Sequence, residues 1–232
     1  MIELLQFAPG SGLMNLSPFC MKVEVFVRLA GLEYRCINDA TPLRAPKGKL
    51  PVLRDAGTVV PDSAAIVAYL QQRYASRMPA ALAVPETASH LALRRLIEDH
   101  LYFAMLRLRW IDDAGWAFTK PAFFGGLPPL VGDVIAGLVR RKMRRDLQGQ
   151  GLGRHDRPHL CREAIADVDA LVAALGEQAF YGGAEPAAID AVVYAFLANM
   201  MWVPVETPVK AHALQQSTLL AYAERMKARV GA

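Results

Sequence analysis

Residues 49–63 of this 232-residue chain read KLPVLRDAGTVVPDS, and this stretch decides the fold. It predicts a strand at 50–53 that carries Pro51, a residue confined to strand starts, edges and cis bends because it lacks a backbone N–H. A turn at 55–58 returns the chain through two valines, and Asp62 with Ser63 can then cap a helix. Apolar residues at helical spacing follow the cap, namely Ile66, Val67, Tyr69, Leu70 and Tyr74. An irregular strand and a helix start that attracts anions are therefore expected side by side.

The segments on either side of this stretch divide the chain into two halves. Residues 1–76 alternate between element types, with a strand at 2–7, a helix at 18–30 that ends before Gly31, and a strand at 33–38. Pro79 and Pro85 mark a linker, and residues 86–232 have apolar positions at helical spacing. The sequence predicts a small α/β domain over 1–76 and an all-α domain over 86–232.

Composition and charge limit the classes of function. The longest apolar run, 191–205, contains Asn199 and a proline and is shorter than the roughly 20 residues that a membrane-spanning helix needs. No basic region followed by an apolar segment opens the chain, so we expect a cytoplasmic protein with no transmembrane segment. Cys20, Cys36 and Cys161 are odd in number and lack paired spacing, which predicts reduced thiols.

Positive charge is concentrated in the second half. A cluster over residues 140–157 carries most of it, namely Arg140, Arg141, Lys142, Arg144, Arg145, Arg154 and Arg157. Such a cluster can attract phosphates, anionic lipid or an acidic small molecule, but a solvated helix face is the more common explanation. No aromatic residues are interleaved with it, so nucleic acid is not an expected partner. His155, in the Gly-rich loop, is expected to be a cap or a loop anchor, and no metal site is expected.

The first helix starts with Ser17-Pro18-Phe19-Cys20. Serine at the cap and proline at the first helical position suit a helix start for structural reasons alone. The same position also stabilises a thiolate, because a helix amino terminus carries positive potential and unpaired N–H groups. Ser17 can donate a hydrogen bond to such a thiolate. Cys20 lies one turn inside the helix, which favours a packed thiol over a nucleophile.

The Ser-Pro-Phe-Cys helix start, the Lys-Leu-Pro-Val-Leu strand and the Asp-Ser helix start, followed by a helical half, together resemble the cytosolic glutathione transferases. The resemblance implies a thioredoxin-like N-terminal domain joined to an all-helical C-terminal domain. It also implies that Pro51 is cis, that the main chain of Leu50 pairs with the cysteinyl part of glutathione, and that Asp62 and Ser63 bind the γ-glutamyl group.

Two further site residues follow from the resemblance. Lys49 lies where a side chain approaches the tripeptide, so its ammonium would pair with a glutathione carboxylate. Ser17 lies where some members carry an activating serine and thiol-transferring members carry a cysteine. Ser17 and Cys20 are therefore the predicted catalytic residues. Lys49, Leu50, Pro51, Asp62 and Ser63 are the predicted ligands of glutathione, which acts as co-substrate.

A closer resemblance, over nearly the whole chain, is to the failed-axon-connections and metaxin-like branch of the same superfamily. It is carried by residues 17–29, 45–70, 151–155 and 175–197. That branch includes members understood as adaptor or import components. Members commonly place Ser or Thr three residues before the aspartate that matches Asp190, whereas this chain has Ala187. The missing cap is expected to weaken helix initiation by roughly 1 kcal/mol unless Asp190 finds another amide.

Three functions remain open from the sequence. The preferred one is a transferase that gives the activated thiolate of glutathione to a small apolar electrophile, as a homodimer. The alternatives are a non-catalytic interaction module that uses residues 140–145, and a glutathione-dependent thiol-disulfide oxidoreductase.

The second half also offers candidates for an electrophile pocket. Its aromatic candidates are Tyr102, Phe103, Trp110, Trp116 and Phe118, which are also candidates for the core. Nearby charged residues are expected to form helix ion pairs, and these are Arg107, Arg109, Asp112 and Asp113.

Overall fold

A four-stranded mixed sheet forms the centre of the first half in the computed structural model, which describes residues 1–38 and 41–231. Residues 39, 40 and 232, which fall inside the two predicted domains, lie outside the described residues. The strands are β1 (Ile2–Leu5), β2 (Tyr34–Ile37), β3 (Val52–Asp55) and β4 (Thr58–Pro61). Their order across the sheet is β2-β1-β3-β4, with β1 parallel to β2 and the other neighbours antiparallel.

The stretch that opens with Lys49 forms the predicted hairpin. Asp55 pairs with Thr58 across the turn, and Val52 pairs with Pro61 at the other end of the ladder. The Leu50–Pro51 peptide bond is cis. The strand begins at Val52 and not at Leu50 as predicted, because Pro51 has no N–H to contribute to a ladder.

Two helices belong to this half, one between β1 and β2 and one after β4. Helix α1 (Pro18–Leu29) has Ser17 as its N-cap and ends one residue earlier than predicted, before Gly31 at φ +64°. Helix α2 (Ser63–Tyr74) has Asp62 as its N-cap. The elements of the predicted α/β half are therefore confirmed, with ends that differ by one or two residues.

The second half is helical throughout its regular structure. It consists of α3 (Ala80–Ala83), α4 (Ala88–Arg95), α5 (Tyr102–Leu106), α6 (Asp113–Phe124), α7 (Pro129–Gln150), α8 (Arg157–Leu175), α9 (Ala188–Met201), α10 (Pro208–Gln215) and α11 (Ser217–Val230). Two π-helical segments, Leu96–Leu101 and Arg107–Ile111, follow α4 and α5, so residues 88–111 form one long helix. Short 3-10 turns lie at Pro42–Arg44, Ala75–Arg77 and Leu152–Arg154.

The two halves share one hydrophobic core. Helix α9 is almost wholly buried, and α1 packs against it, so that residues such as Val23 and Phe26 are removed from solvent. In the described parts of the chain no helix is long and apolar enough to cross a membrane. The architecture is the predicted one, an α/β thioredoxin-like half joined to an all-helical half.

Candidate functional site

Helix α1 begins at a loop that Asn15 holds in place. The Asn15 amide nitrogen donates to the carbonyl oxygen of Phe7 at 2.6 Å, and its Oδ1 accepts from the Ser17 N–H at 2.9 Å. Ser17 Oγ accepts from the Cys20 N–H at 3.4 Å, which confirms the predicted cap. Ser17 is only half-buried, so its hydroxyl lies where a ligand can reach the start of the helix.

Cys20 lies in the core beside that cap. Its side chain is fully buried against Leu50 and Val52. Burial raises the pKa of the Cys20 thiol to about 12, and hydrogen bonds from Ser17 and the Phe7 backbone only partly oppose this. A thiol that is kept protonated is a poor nucleophile, so the geometry favours the packed interpretation of Cys20.

The Leu50-Pro51 segment lies against the first turn of α1. Leu50 and Pro51 are buried, whereas Lys49 is exposed. Since Leu50 packs on Cys20, the cis bend and the start of α1 belong to one local structure. Cys20 therefore contacts both the predicted main-chain ligand, Leu50, and the predicted activator, Ser17.

The start of α2 carries the other predicted ligands. Asp62 is exposed and has a positive φ of 85°, and its Oδ1 accepts from the N–H groups of Ala64 at 3.0 Å and Ala65 at 3.3 Å. A positive φ is uncommon for a residue other than glycine. Ser63 is buried beside it. The capping role predicted for Asp62 is confirmed.

Sequence reasoning missed a buried charge network beneath Ser63. Lys22 Nζ donates to Ser63 Oγ at 3.3 Å and to Glu98 Oε1 at 2.6 Å. Arg94 pairs with Glu98 at 3.3 Å and with Glu86 at 2.7 Å. Burial lowers the pKa of Lys22, although Glu98 opposes the shift. The available signal was a lysine within an otherwise apolar helical run, residues 18–23.

Helix α1 therefore contacts two of the predicted ligands, Leu50 and Ser63. Its first residues touch the Leu50-Pro51 bend, and its second turn touches Ser63 through Lys22. Glu98, which holds Lys22, lies in the π-helical segment Leu96–Leu101 of the second half. The candidate site thus lies at the junction of the two halves.

The prediction of helix ion pairs near residue 110 is confirmed for one arginine and wrong for another. Arg107 pairs with Asp112 at 3.3 Å, as expected. Arg109 is instead buried, and its Nη1 donates to Asn199 Oδ1 at 3.0 Å. Burial lowers the pKa of Arg109 to about 10. The π-helical segment alters the register of the helix, so the exposure of these side chains does not follow from regular helical spacing.

The aromatic candidates form two groups. Tyr102 makes edge contacts with Phe19 at 4.8 Å and with Phe103 at 5.3 Å, measured between ring centroids. Trp110 contacts Trp116 at 6.2 Å and lies 5.2 Å from Phe123. Phe118 packs against the core.

Phe123, which was not among the sequence candidates, contacts Phe7 of the first loop at 5.6 Å. Because Phe7 precedes the loop that starts α1, this contact brings aromatic surface from the helical half to the candidate site.

The basic segment on α7 divides into a structural part and an exposed part. Arg140 donates to the carbonyl oxygens of Trp110 and Ile111, at 3.1 and 2.7 Å, and its guanidinium lies 4.8 Å from the Trp116 ring. The remaining basic side chains are exposed, namely Arg141, Lys142, Arg144 and Arg145. In the described residues, no group of three His, Cys, Asp or Glu side chains is placed to hold a metal ion.

Family models and a similar protein both point to the glutathione S-transferases. The family model described as Glutathione S-transferase N-terminal domain matches residues 18–115, and that described as Glutathione S-transferase, C-terminal domain matches residues 164–226. The isoprene-epoxide–glutathione S-transferase of Rhodococcus sp. (strain AD45) is 31% identical over 98% of this chain and 98% of its own length.

Two other relatives come from the failed-axon-connections and metaxin-like branch, which the sequence also resembles. Failed axon connections from Drosophila melanogaster is 26% identical over 97% of this chain, which spans 57% of that protein. Metaxin-1 from Macaca fascicularis is 26% identical over 95% of this chain and 72% of its own length.

Solved structures give the same fold. Glutathione transferase GSTFuA3 from Phanerochaete chrysosporium aligns with a TM-score of 0.69 at 17% identity, over 98% of this chain and 96% of its own. Rice GST1, solved in complex with glutathione, aligns with a TM-score of 0.63 at 18% identity, over 100% of this chain and 89% of its own.

Proposed function

Since the chain belongs to the glutathione S-transferase family, we propose that it binds glutathione at the junction of its two halves and transfers the thiolate to a small electrophile. The observation that carries this proposal is the convergence of three segments on helix α1. Ser17 caps the helix, Leu50 packs on its first turn, and Ser63 contacts its second turn through Lys22.

Each segment has a distinct task in this proposal. The main chain at Leu50 pairs with the cysteinyl part of the tripeptide beside Pro51. The exposed carboxylate of Asp62 attracts the α-amino group, and the Ser63 hydroxyl at the positive end of α2 donates to the α-carboxylate. Lys49 is exposed and reaches a glutathione carboxylate from the rim.

Ser17 activates the sulfur. The start of α1 carries positive potential, and the Ser17 hydroxyl can donate to a thiolate placed there. A pKa depression of one unit requires about 1.4 kcal/mol of differential stabilisation, which is within the reach of a helix dipole and one charge-assisted hydrogen bond.

We propose an epoxide as the first electrophile to test, because the relative at 31% identity is named for an epoxide substrate. The electrophile enters from the side of Phe7 and Phe123, where aromatic surface from both halves meets. We also propose that the protein acts in the cytoplasm, and that it is a homodimer, as the sequence resemblance implies for the oligomeric state.

Calorimetric titration with glutathione, combined with absorbance titration of the bound thiol at 240 nm, tests the proposal. We expect a dissociation constant in the millimolar range or tighter, and a thiol pKa at least one unit below that of free glutathione. Asp62→Asn is a matched variant, because asparagine also caps helices and tolerates positive φ but carries no charge. It should fold normally and bind glutathione about tenfold more weakly, through loss of one charge-assisted pair. No heat of binding at millimolar glutathione rejects the proposal.

A second candidate function is a non-catalytic interaction module. The failed-axon-connections and metaxin relatives favour it, and so does the exposure of the basic side chains on α7. An acidic partner surface is the matching chemistry. Arg141, Arg144 and Arg145 changed together to Gln should abolish partner binding and leave glutathione binding intact, while Arg140 is kept because it holds the carbonyl groups of Trp110 and Ile111. Substantial epoxide turnover would reject this alternative as the sole function.

A further inference from the structure

Among the residues that the structure describes, the buried guanidinium of Arg109 has no charged partner. Arg109 is only 8% exposed, and within this part of the chain its guanidinium forms a single hydrogen bond, to Asn199 Oδ1. Nε and Nη2 have no partner, and among the described residues no carboxylate pairs with Arg109. A buried charge that lacks a counter-charge is costly, so proteins rarely keep one without a use for it.

The position of Arg109 links it to the proposed glutathione site. Asn199, which accepts from Arg109, donates to the Asn15 carbonyl oxygen at 3.1 Å. Asn15 in turn holds the Ser17 N–H, so two amide side chains connect the guanidinium to the start of α1. The Phe123 ring lies 6.0 Å from the guanidinium and contacts Phe7 of the first loop. Arg109 therefore lies behind the aromatic surface at which the electrophile is proposed to enter.

The backbone around Arg109 is firmly held. Thr119 Oγ1, fully buried, donates to the Arg109 carbonyl oxygen at 2.8 Å. Gly115 packs so closely that a Cβ atom there would lie 2.0 Å from the Leu108 carbonyl oxygen. Arg109 itself belongs to the π-helical segment Arg107–Ile111, a distortion that often occurs at functional sites.

Space for a small polar group adjoins the guanidinium. Arg109 lines a cavity of about 30 Å³ whose other polar lining residues are Asn199 and Thr207, and the rest of its lining is apolar. That volume holds a water molecule or one oxygen-bearing substituent, and not a whole substrate. The unpartnered N–H groups of Nε and Nη2, in an apolar setting, suit one oxygen atom that carries negative charge.

We propose that Arg109 is a catalytic residue of the electrophile site, where its Nε and Nη2 donate to the substrate oxygen that becomes negative during thiolate attack. The substrate class is an electrophile whose reacting carbon bears the oxygen, namely a strained cyclic ether. In the step, the glutathione sulfur forms a C–S bond, the adjacent C–O bond breaks, and its electron pair stays on oxygen. The alkoxide takes a proton from solvent. This inference rests on the proposed function.

The test compares two electrophiles in the full-length protein. Styrene oxide leaves an alkoxide on the product, whereas benzyl chloride releases chloride and forms no oxyanion. Arg109→Gln keeps a donor for Asn199 but removes the charge, and we expect kcat with styrene oxide to fall about a hundredfold, the usual effect of losing an oxyanion donor. With benzyl chloride the change should stay within threefold. Arg109→Lys should retain part of the epoxide activity because the charge remains.

Controls separate this inference from the proposal on which it rests. Arg107→Gln removes a neighbouring arginine that pairs with Asp112, and it should leave the ratio of the two activities unchanged. Glutathione affinity, measured calorimetrically, should be the same in Arg109→Gln and the unaltered protein. Failure of the unaltered protein to bind glutathione rejects the proposed function. Normal binding with no epoxide opening, or with equal losses for both electrophiles in Arg109→Gln, overturns the role of Arg109.

Thermal unfolding supplies a readout independent of turnover. If Arg109 serves catalysis, Arg109→Gln should have a midpoint equal to or above that of the unaltered protein, because it removes an uncompensated buried charge. If Arg109 only anchors a structural water, the midpoint should fall and the ratio of the two activities should not change.

Discussion

Ser17 and Cys20 stand one helical turn apart, yet their surroundings assign them different roles. The Ser17 side chain is half-exposed at the tip of α1, where the N–H groups of the first turn point. The Cys20 side chain is turned into the core and has a pKa raised to about 12. Only the serine combines access with the positive potential that a thiolate needs.

Cys20→Ser should therefore leave transferase activity largely intact. At pH 8 a thiol with a pKa near 12 is ionised to about one part in ten thousand, so almost no thiolate is present for disulfide exchange. Epoxide turnover and glutathione affinity of Cys20→Ser should lie within a few-fold of the original values. Ser17→Ala is the comparison. In that variant the pKa of the bound glutathione thiol, measured by absorbance at 240 nm, should return toward that of free glutathione. Collapse of activity in Cys20→Ser alone would instead support the disulfide-exchange alternative.

At the residue scale, local patterns predicted caps but not buried charges. Ser17 and Asp62 act on N–H groups two or three residues away, so their roles follow from short-range sequence. Lys22 and Arg109 depend on partners 76 and 90 positions away in the chain. No local pattern contains those distances, and a charged residue in a helix is more often solvated.

At the scale of the element, helix α9 shows how a missing cap is replaced. Ala187 has no side-chain acceptor, but Asp190 compensates by accepting from the N–H groups of Ala187 at 2.8 Å, Gly182 at 2.9 Å and Tyr181 at 2.8 Å. Half of a capping box remains, in which Asp190 Oδ2 accepts from Ala187. The same oxygen accepts from Gly182, and Oδ1 accepts from Tyr181, so both oxygens secure the turn before the helix. The amides that Asp190 was expected to need are therefore present.

Two substitutions at this start should shift stability in opposite directions. Asp190→Ala leaves three N–H groups without their acceptor, two of them in buried hydrogen bonds, and should cost roughly 3 kcal/mol or more of unfolding free energy. Ala187→Ser supplies the missing acceptor and should add up to about 1 kcal/mol. Urea denaturation measures both. An unchanged free energy of unfolding in Asp190→Ala would show that the turn before α9 does not depend on this carboxylate.

The long helix over residues 88–111 was predictable as a helix but not in its register. Leucines at three- and four-residue steps give its apolar face, yet the π-helical segments Leu96–Leu101 and Arg107–Ile111 insert extra residues into that pattern. In α6, Gly115 packs closely against the second segment, and Thr119 donates a hydrogen bond to the Arg109 carbonyl oxygen within it. Such tertiary contacts decide where the helix widens, and they are not visible in its own sequence.

At the scale of the whole molecule, the two halves are joined through helix α1. Its apolar residues enter the same core cluster as those of α9, and its lysine forms an ion pair with Glu98 across the junction at 2.6 Å. The sequence predicted two domains because composition and periodicity change near residue 76, and those patterns describe elements without describing how elements pack. The division into 1–76 and 86–232 stays a prediction about folding units.

The Lys22–Glu98 pair should be more important for ligand binding than for folding. Glu98→Leu leaves the Lys22 ammonium buried and unpaired, so it should lower the free energy of unfolding by about 3–5 kcal/mol. Lys22→Met should cost less, because Glu98 keeps Arg94 as its partner. The double variant replaces both charges with apolar groups and should recover most of that loss, while Arg94 keeps Glu86 as its partner. Ser63 would then lose the ammonium that positions its hydroxyl, so glutathione should bind the folded double variant more weakly.

A double-mutant cycle by urea denaturation, paired with calorimetry on each folded variant, separates the two effects. Arg95 and Asp99 form an exposed ion pair on the same long helix, and their joint substitution by Gln and Asn is the matched control. Exposed pairs contribute at most about 1 kcal/mol, so this control should change neither stability nor affinity appreciably. Because Lys22 positions the Ser63 hydroxyl, glutathione affinity should decline in the Lys22 and Glu98 double variant and stay unchanged in the Arg95 and Asp99 control. Recovered stability with unchanged glutathione affinity would show that this ion pair orders the junction without acting on the site.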